Sequence, residues 1–102
     1  MIELTERDKP ISNSGLVLLD FWAPWCGPCR MLGSVLDELA GELVDVTILK
    51  INVDEAQETA SEYGIQTLPT LILLKDQQKI GTKTGFVSKT SILRWLEETR
   101  ES

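Results

Sequence analysis

The segment Gly15-Leu16-Val17-Leu18-Leu19-Asp20-Phe21-Trp22 is an almost unbroken apolar run. A half-exposed strand alternates apolar and polar residues, whereas a continuous run leaves no face for water and is expected of a strand buried on both sides. Such a strand belongs inside a sheet covered above and below by helices. Ala23-Pro24 ends the run, and Trp25-Cys26-Gly27-Pro28-Cys29 follows. Pro28 suits the first turn of a helix, where its missing N–H costs nothing. Met31, Leu32, Val35, Leu36, Leu39 and Leu43 then recur at helical spacing, predicting a helix to about Glu42. A pair of cysteines thus sits where a buried strand ends and a helix begins, the end of the strands at which open α/β sheets bind ligands.

The remaining pattern extends this architecture. Val46-Thr47-Ile48-Leu49-Lys50-Ile51-Asn52-Val53 predicts a second buried strand. Asp54 is placed to cap a short helix with Gln57 reaching back, close to a capping box. Ala56, Thr59, Ala60 and Tyr63 form that helix's apolar face, and Gly64 is a natural terminator. Thr70–Lys75 predicts a third strand, 76–78 a hairpin turn without the usual glycine, and 79–84 a fourth strand. Ser88 is placed to cap a last helix that carries Ile92, Leu93, Trp95 and Leu96 inward. Ile2-Glu3-Leu4 fits a short edge strand, and 5–9 one helical turn before Pro10. A βαβ unit followed by a ββα unit predicts one α/β domain over 1–102. Its mixed sheet has four to five strands, with helices on both faces.

Both cysteines of the 102-residue chain lie in this one segment, and there is no histidine. A disulfide between them would be a weak staple: closing a four-residue loop is worth only about 2 kcal/mol in the chain-entropy model. Structural zinc needs four ligands, commonly two such pairs or a pair with histidines, and would here require two chains or carboxylates. The spacing therefore points to a redox dithiol, with a metal half-site as the alternative and no metal expected. Cys26, at or before the first helical residue, would be the more acidic and reachable thiol, because a helix N-terminus favours negative charge. Cys29, inside the first turn, would be the more buried. Cys26 is then the attacking thiol and Cys29 the resolving one.

Without histidine, a proton relay needs a carboxylate, a lysine or water. Asp20 interrupts the apolar run leading to the cysteines. If buried, its carboxyl would titrate upward, by as much as ~3–5 units, and could pass protons near neutral pH; alternatively it reaches solvent at the strand end. Lys50 interrupts the second strand in the same way. It either pairs with Asp20 beneath the sheet or extends its ammonium to water. Trp22 reads as core packing. Trp25, next to Cys26, reads as a partly exposed contact surface, with its indole N–H within reach of Asp54 if that helix start lies nearby.

A net charge of −6, with ten basic residues among sixteen acidic ones, does not suggest nucleic-acid binding or an anionic membrane surface. The apolar runs are too short to span a bilayer. The first residues contain no apolar stretch of signal-peptide length, so a cytosolic location is expected.

Asp20-Phe21-Trp22-Ala23-Pro24-Trp25-Cys26-Gly27-Pro28-Cys29-Arg30-Met31 resembles the active-site segment of the thioredoxin family. The resemblance continues through Lys50-Ile51-Asn52-Val53-Asp54, Tyr63-Gly64-Ile65, Thr67-Leu68-Pro69-Thr70 and Gly85, from about Leu16 to the end of the chain. It implies a thioredoxin fold and a general protein-disulfide reductase that cycles between a dithiol and a Cys26–Cys29 disulfide. Asp20 matches the family's buried acid, which assists Cys29, and Lys50 matches that acid's partner. Pro69 matches a cis-proline beside the cysteines, with Thr67 and Leu68 offering backbone groups to an extended client, as in strand addition. Trp25, Gly27, Pro28 and the small Gly85 match the rest of the client surface.

The resemblance also implies no bound cofactor. Electrons would come from a thioredoxin reductase, which itself uses NADPH and flavin. Expected clients are of the peroxiredoxin, ribonucleotide reductase and methionine sulfoxide reductase classes, and the protein is expected to be a monomer. The dipeptide Gly27-Pro28 is the family's reducing pair. Ser34 stands where the family often has a helix-kinking proline; Gly33-Ser34 can bend a helix instead. A module valued for its fold rather than its thiols is the competing class, and such modules often lose the cysteines that this chain keeps.

Overall fold

A computed structural model describes residues 2–4 and 15–100. The elements follow the order β1 (Ile2–Leu4), β2 (Leu16–Trp22), α1 (Gly27–Glu42), β3 (Val46–Asn52), α2 (Gln57–Glu62), β4 (Thr70–Lys75), β5 (Gln78–Thr84) and α3 (Lys89–Arg100). The strands form one five-stranded sheet in the order β1-β3-β2-β4-β5. β1 and β2 run parallel to β3, whereas β4 is antiparallel to β2 and to β5. This is the mixed sheet expected from the pattern, with Ile2–Leu4 as its edge strand. The helical turn expected at 5–9 lies outside the described residues.

The apolar run takes the middle of the sheet, and residues 17–21 have no exposed surface. Alternation along the strand sends its side chains to two separate cores. Leu18 joins Ile48, Leu71 and Leu73 under Leu32, Leu36 and Leu39 of α1 and Ile92 and Leu96 of α3. Val17, Leu19 and Phe21 join Leu49, Ile51, Ile72 and Leu74 on the opposite face, with Ala56, Ala60 and Tyr63 packed there. Tyr63 meets Phe21 in a tilted ring contact with centroids 5.5 Å apart. Helices on both faces explain why neither side of β2 carries a polar residue except Asp20.

The helix ends show where local signals held and where tertiary contacts replaced them. α1 runs as a single helix through Gly33-Ser34. Met31 stands 59% exposed and Leu93 38% exposed, so neither belongs to the buried stripe assigned to it. Each lies one residue, about 100° of helix rotation, from a fully buried neighbour, Leu32 and Ile92. Gly64, with φ +67°, closes α2 in a Schellman motif: its N–H donates to Ser61 C=O and that of Ile65 to Ala60 C=O. Ser88 Oγ accepts the Ser91 N–H at 3.2 Å, the expected cap of α3. Lys89 also reaches Glu42 at 2.7 Å and ties the start of α3 to the end of α1. Hydrogen bonding to Glu42 raises the Lys89 ammonium above its ordinary pKa.

The β4–β5 hairpin turns on Asp76 and Gln77, both at positive φ, so β5 begins at Gln78, one residue earlier than expected. A tight two-residue turn needs that geometry and usually recruits glycine. Here Asp76 is held instead by Gly15, whose N–H donates to the Asp76 carboxylate at 3.0 Å while the Asp76 N–H donates to Gly15 C=O at 2.9 Å.

The Trp95 indole of α3 occupies the space beside Gly81 of β5. A Cβ at Gly81 would stand 2.9 Å from the indole Cζ2. Gly81→Ala is therefore expected to cost about 1–3 kcal/mol, read as a lower urea midpoint. The same substitution should cost less in a Trp95→Leu background, where the ring is gone.

Candidate active site

The site is built at the C-terminal end of β2. The Cys26 N–H donates to Ala23 C=O at 3.1 Å, closing the turn that follows the strand. Cys26 then serves as the N-cap of α1 in extended conformation, with Pro28 in the first turn. Its Sγ accepts the backbone N–H of Cys29 at 3.2 Å, the place usually taken by a Ser or Asp oxygen. The two cysteines form a disulfide, the only pairing they have. Both lie deep, but not equally: Cys26 is 7% exposed and Cys29 2%. The Cys29 N–H and the positive end of the helix face the Cys26 sulfur, an arrangement that favours negative charge there after reduction.

Around the pair, Ala23, Trp22, Val53 and Leu68 form an apolar collar. An open groove of about 330 Å³ begins at Cys26 and is lined by Trp25, Val53, Ala60, Ile65, Gln66 and Leu68. The Leu68–Pro69 peptide is cis. The Gly85 N–H donates to Pro69 C=O at 2.9 Å, which brings the loop after β5 to the cis-proline. Gly85 has φ +80°, so its backbone conformation calls for glycine, although nothing lies within 4 Å of where a Cβ would stand. Of the expected client-surface residues, Trp25 and Leu68 line this groove, whereas Gly27, Pro28, Pro69, Gly85 and Thr67 do not. Thr67 lies elsewhere. It lines a separate cavity of about 210 Å³ with Tyr63, Thr70, Lys79 and Thr82, and its carbonyl accepts the Thr70 hydroxyl. Burial, with Glu62 adding to it, pushes the Tyr63 phenol above its usual pKa at that cavity.

Trp25 is 70% exposed, and its indole N–H donates to Asp54 Oδ2 at 3.0 Å. Asp54 was expected to cap α2. That helix begins instead after Ala56, with no side-chain cap, and Gln57 touches only the Asp54 carbonyl at 3.5 Å. The Asp54 carboxylate has been taken by a partner 29 residues away. Sequence reasoning missed Asn52, which is buried and makes this possible. Its side-chain oxygen accepts the Asp54 N–H at 2.9 Å, and its carbonyl accepts the N–H groups of Glu55 and Ala56. The available signal was an Asn closing an apolar strand two residues before an Asp, an Asx turn.

Asp20 has no exposed surface, which excludes the alternative in which its carboxylate meets solvent. Lys50 is its register partner on β3 and is half-buried. The Lys50 ammonium lies 4.2 Å from the centroid of the Trp22 ring. Neither extension into water nor pairing with Asp20 had anticipated that contact. Among the described residues, no group of three or more His, Cys, Asp or Glu could hold a metal ion. None of the described helices is long and apolar enough to cross a membrane.

What this arrangement can do is exchange: a disulfide at a helix N-terminus, opening onto an apolar groove, can accept electrons from or pass them to another pair of sulfurs. The protein is a disulfide oxidoreductase working by dithiol–disulfide exchange. Comparison with known proteins narrows the class. The family model described as Thioredoxin matches residues 2–98. The thioredoxin of Bacillus subtilis is 51% identical over 82 residues, covering 79% of each chain. Thioredoxin 1 of Synechococcus elongatus is 44% identical over 97 residues, or 94% of this chain and 91% of the relative. A chloroplastic thioredoxin M-type from Chlamydomonas reinhardtii is 44% identical over 92% of this chain and 68% of its own length. The chain belongs to the thioredoxin family.

The Trp25–Asp54 bond can be tested directly. Asp54→Ala should accelerate hydrogen exchange of the Trp25 indole N–H, followed by NMR, while costing about 0.5–1.5 kcal/mol of stability. Asp54→Asn, which keeps an acceptor oxygen, should retain most of the protection.

Proposed function

We propose that the protein is a single-domain, monomeric carrier that delivers two electrons to protein disulfides, with Cys26 as nucleophile and Cys29 as resolving thiol. The supporting observation is the asymmetry of the two sulfurs: Cys26 opens onto the groove at the helix N-terminus, whereas Cys29 is almost fully enclosed. In the reduced protein the Cys26 thiolate attacks one sulfur of a client disulfide. A mixed disulfide forms and the client's other sulfur leaves as a thiolate. Cys29 then loses its proton and attacks the Cys26 sulfur. The Cys26–Cys29 disulfide forms, the second client thiolate is released, and the client has gained two electrons.

Enclosure explains the need for an internal base. A thiol at 2% exposure has little bulk water to accept its proton, and Asp20 is a carboxylate buried on the same side of the sheet. Burial favours the protonated form of such an acid, so that it can accept and return a proton near neutral pH. Lys50, aligned with Asp20 in register, supplies positive charge beside it.

The client would lie as an extended segment across the groove. It would contact Trp25, Gly27, Pro28, Leu68, Pro69 and Gly85, and take backbone hydrogen bonds from Thr67 and Leu68 in the manner of an added strand. A thioredoxin reductase, itself using NADPH and flavin, would restore the dithiol. Cytoplasmic redox homeostasis is the proposed setting, with peroxiredoxins, ribonucleotide reductase and methionine sulfoxide reductases as client classes. Gly27-Pro28 between the cysteines supports the reducing direction.

In a coupled assay with NADPH and a thioredoxin reductase, the protein should reduce a model protein disulfide. Cys26→Ser should abolish turnover, and Cys29→Ser should accumulate a mixed disulfide through Cys26, visible by mass spectrometry. Turnover by Cys26→Ser equal to that of the unmodified protein would overturn the assignment. The reduction potential should lie below the upper glutathione poise of about −220 mV; a value well above it would point to an oxidant.

A further inference from the structure

Asp20 on β2 and Lys50 on β3 are the charged residues of these two strands, beneath the start of α1. The side chain that joins them to the cysteines is Trp22. Alternation places Asp20 and Trp22 on the same face of β2. The parallel register aligns Lys50 with Asp20, so Trp22 is its diagonal neighbour. The Lys50 Nζ stands 4.2 Å from the indole centroid. Trp22 also packs against the cluster of Ala23, Cys26 and Cys29. Its buried Nε1 makes no hydrogen bond, so packing rather than its own N–H places the ring.

A half-buried lysine ordinarily extends its ammonium to water. Trp offers the strongest ring face for holding a cation, within about 6 Å of the centroid. We propose that Trp22 is a positioning residue for the proton relay: its ring face keeps the Lys50 ammonium beside Asp20 and the cysteines instead of in solvent. The inference rests on the reading of Asp20 as the relay acid. A cation held there favours both the Asp20 carboxylate and the Cys26 thiolate, since it attracts negative charge on either. Releasing it to water should move the titration of both to higher pH.

The other titratable and charged groups at this place bear on the test. β2 contributes Asp20, α1 contributes the cysteine pair and the exposed Arg30, and the β1 register sets Glu3 opposite Lys50. β4 contributes Leu71 opposite Asp20 and no charge there.

The test is the pH dependence of Cys26 alkylation by iodoacetamide in the reduced protein. It compares the unmodified chain with Lys50→Met, Trp22→Leu, Trp22→Phe and the Trp22→Leu/Lys50→Met pair. Lys50→Met should raise the midpoint, because it removes the positive charge that favours the thiolate. Trp22→Leu should raise it by at least half as much, and Trp22→Phe by less. In the double variant Trp22→Leu should add almost nothing, because the charge it positions is already absent. An unshifted Trp22→Leu profile, or additive shifts in the double variant, would overturn the inference while leaving the Asp20 reading intact. An unshifted Lys50→Met profile would likewise overturn the inference. If Trp22→Leu does not fold, Trp22→Phe with and without Lys50→Met gives the same cycle at smaller amplitude.

Discussion

The structure depends on a strand that can meet water at neither face nor edge. β2 has β3 on one side and β4 on the other, α1 and α3 above and α2 below. Each fully buried Val, Leu or Phe side chain contributes about 1.5–3 kcal/mol relative to exposure, and residues 17–19 and 21 are all of this kind. A strand so enclosed can present chemistry only at its ends. Its C-terminal end turns at Ala23 directly into α1, so the same burial that holds the sheet together holds the cysteines still. Asp20 is the cost of this arrangement: a carboxyl two residues short of the strand's end, placed where a leucine would pack more cheaply.

The start of α1 shows a similar exchange between stability and chemistry. Ser, Asp or Asn at an N-cap would bind the first free N–H groups with an oxygen. Cys26 does so with sulfur, a weaker acceptor. The helix thus begins with a poorer cap and no acidic residue in its first turn. That leaves the positive end of the helix for the sulfur that would carry negative charge in the reduced protein. A capping carboxylate would strengthen the helix and compete for the same field.

Elements that are decided locally were legible in the sequence. The central strands followed from continuous apolar runs, the α2 terminus from Gly64, and the α3 cap from Ser88. The cysteine site followed from Pro28 and the absence of any other cysteine or histidine. Elements decided by distant partners were not. Asp54 has the composition of a cap, yet its carboxylate serves Trp25, and nothing near it in the chain reveals that choice. Lys50 had two credible destinations, and the ring face it occupies belongs to a neighbouring strand. The cis peptide before Pro69 followed from resemblance alone, since physics gives an X–Pro bond only about 5–6% cis. Met31 and Leu93 fit a helical stripe by spacing, but the width of the buried face depends on how closely the sheet approaches.

The Trp25–Asp54 bond joins parts of the site that the chain keeps apart. Trp25 precedes the attacking cysteine, while Asp54 belongs to the turn from β3 into α2. That turn is built by Asn52, whose carbonyl starts the turn and whose side chain orients Asp54. Val53 and Ala60, from the same turn and helix, line the groove together with Trp25. A large, 70% exposed indole would otherwise sample several rotamers, and ordering it at the moment of binding would cost affinity. Latched to Asp54, it presents one wall of the groove in a fixed position against the wall that α2 supplies. The short helix without a side-chain cap is thereby tied to the cysteine segment, and one side-chain hydrogen bond joins the Trp25 wall of the groove to the turn that leads into α2.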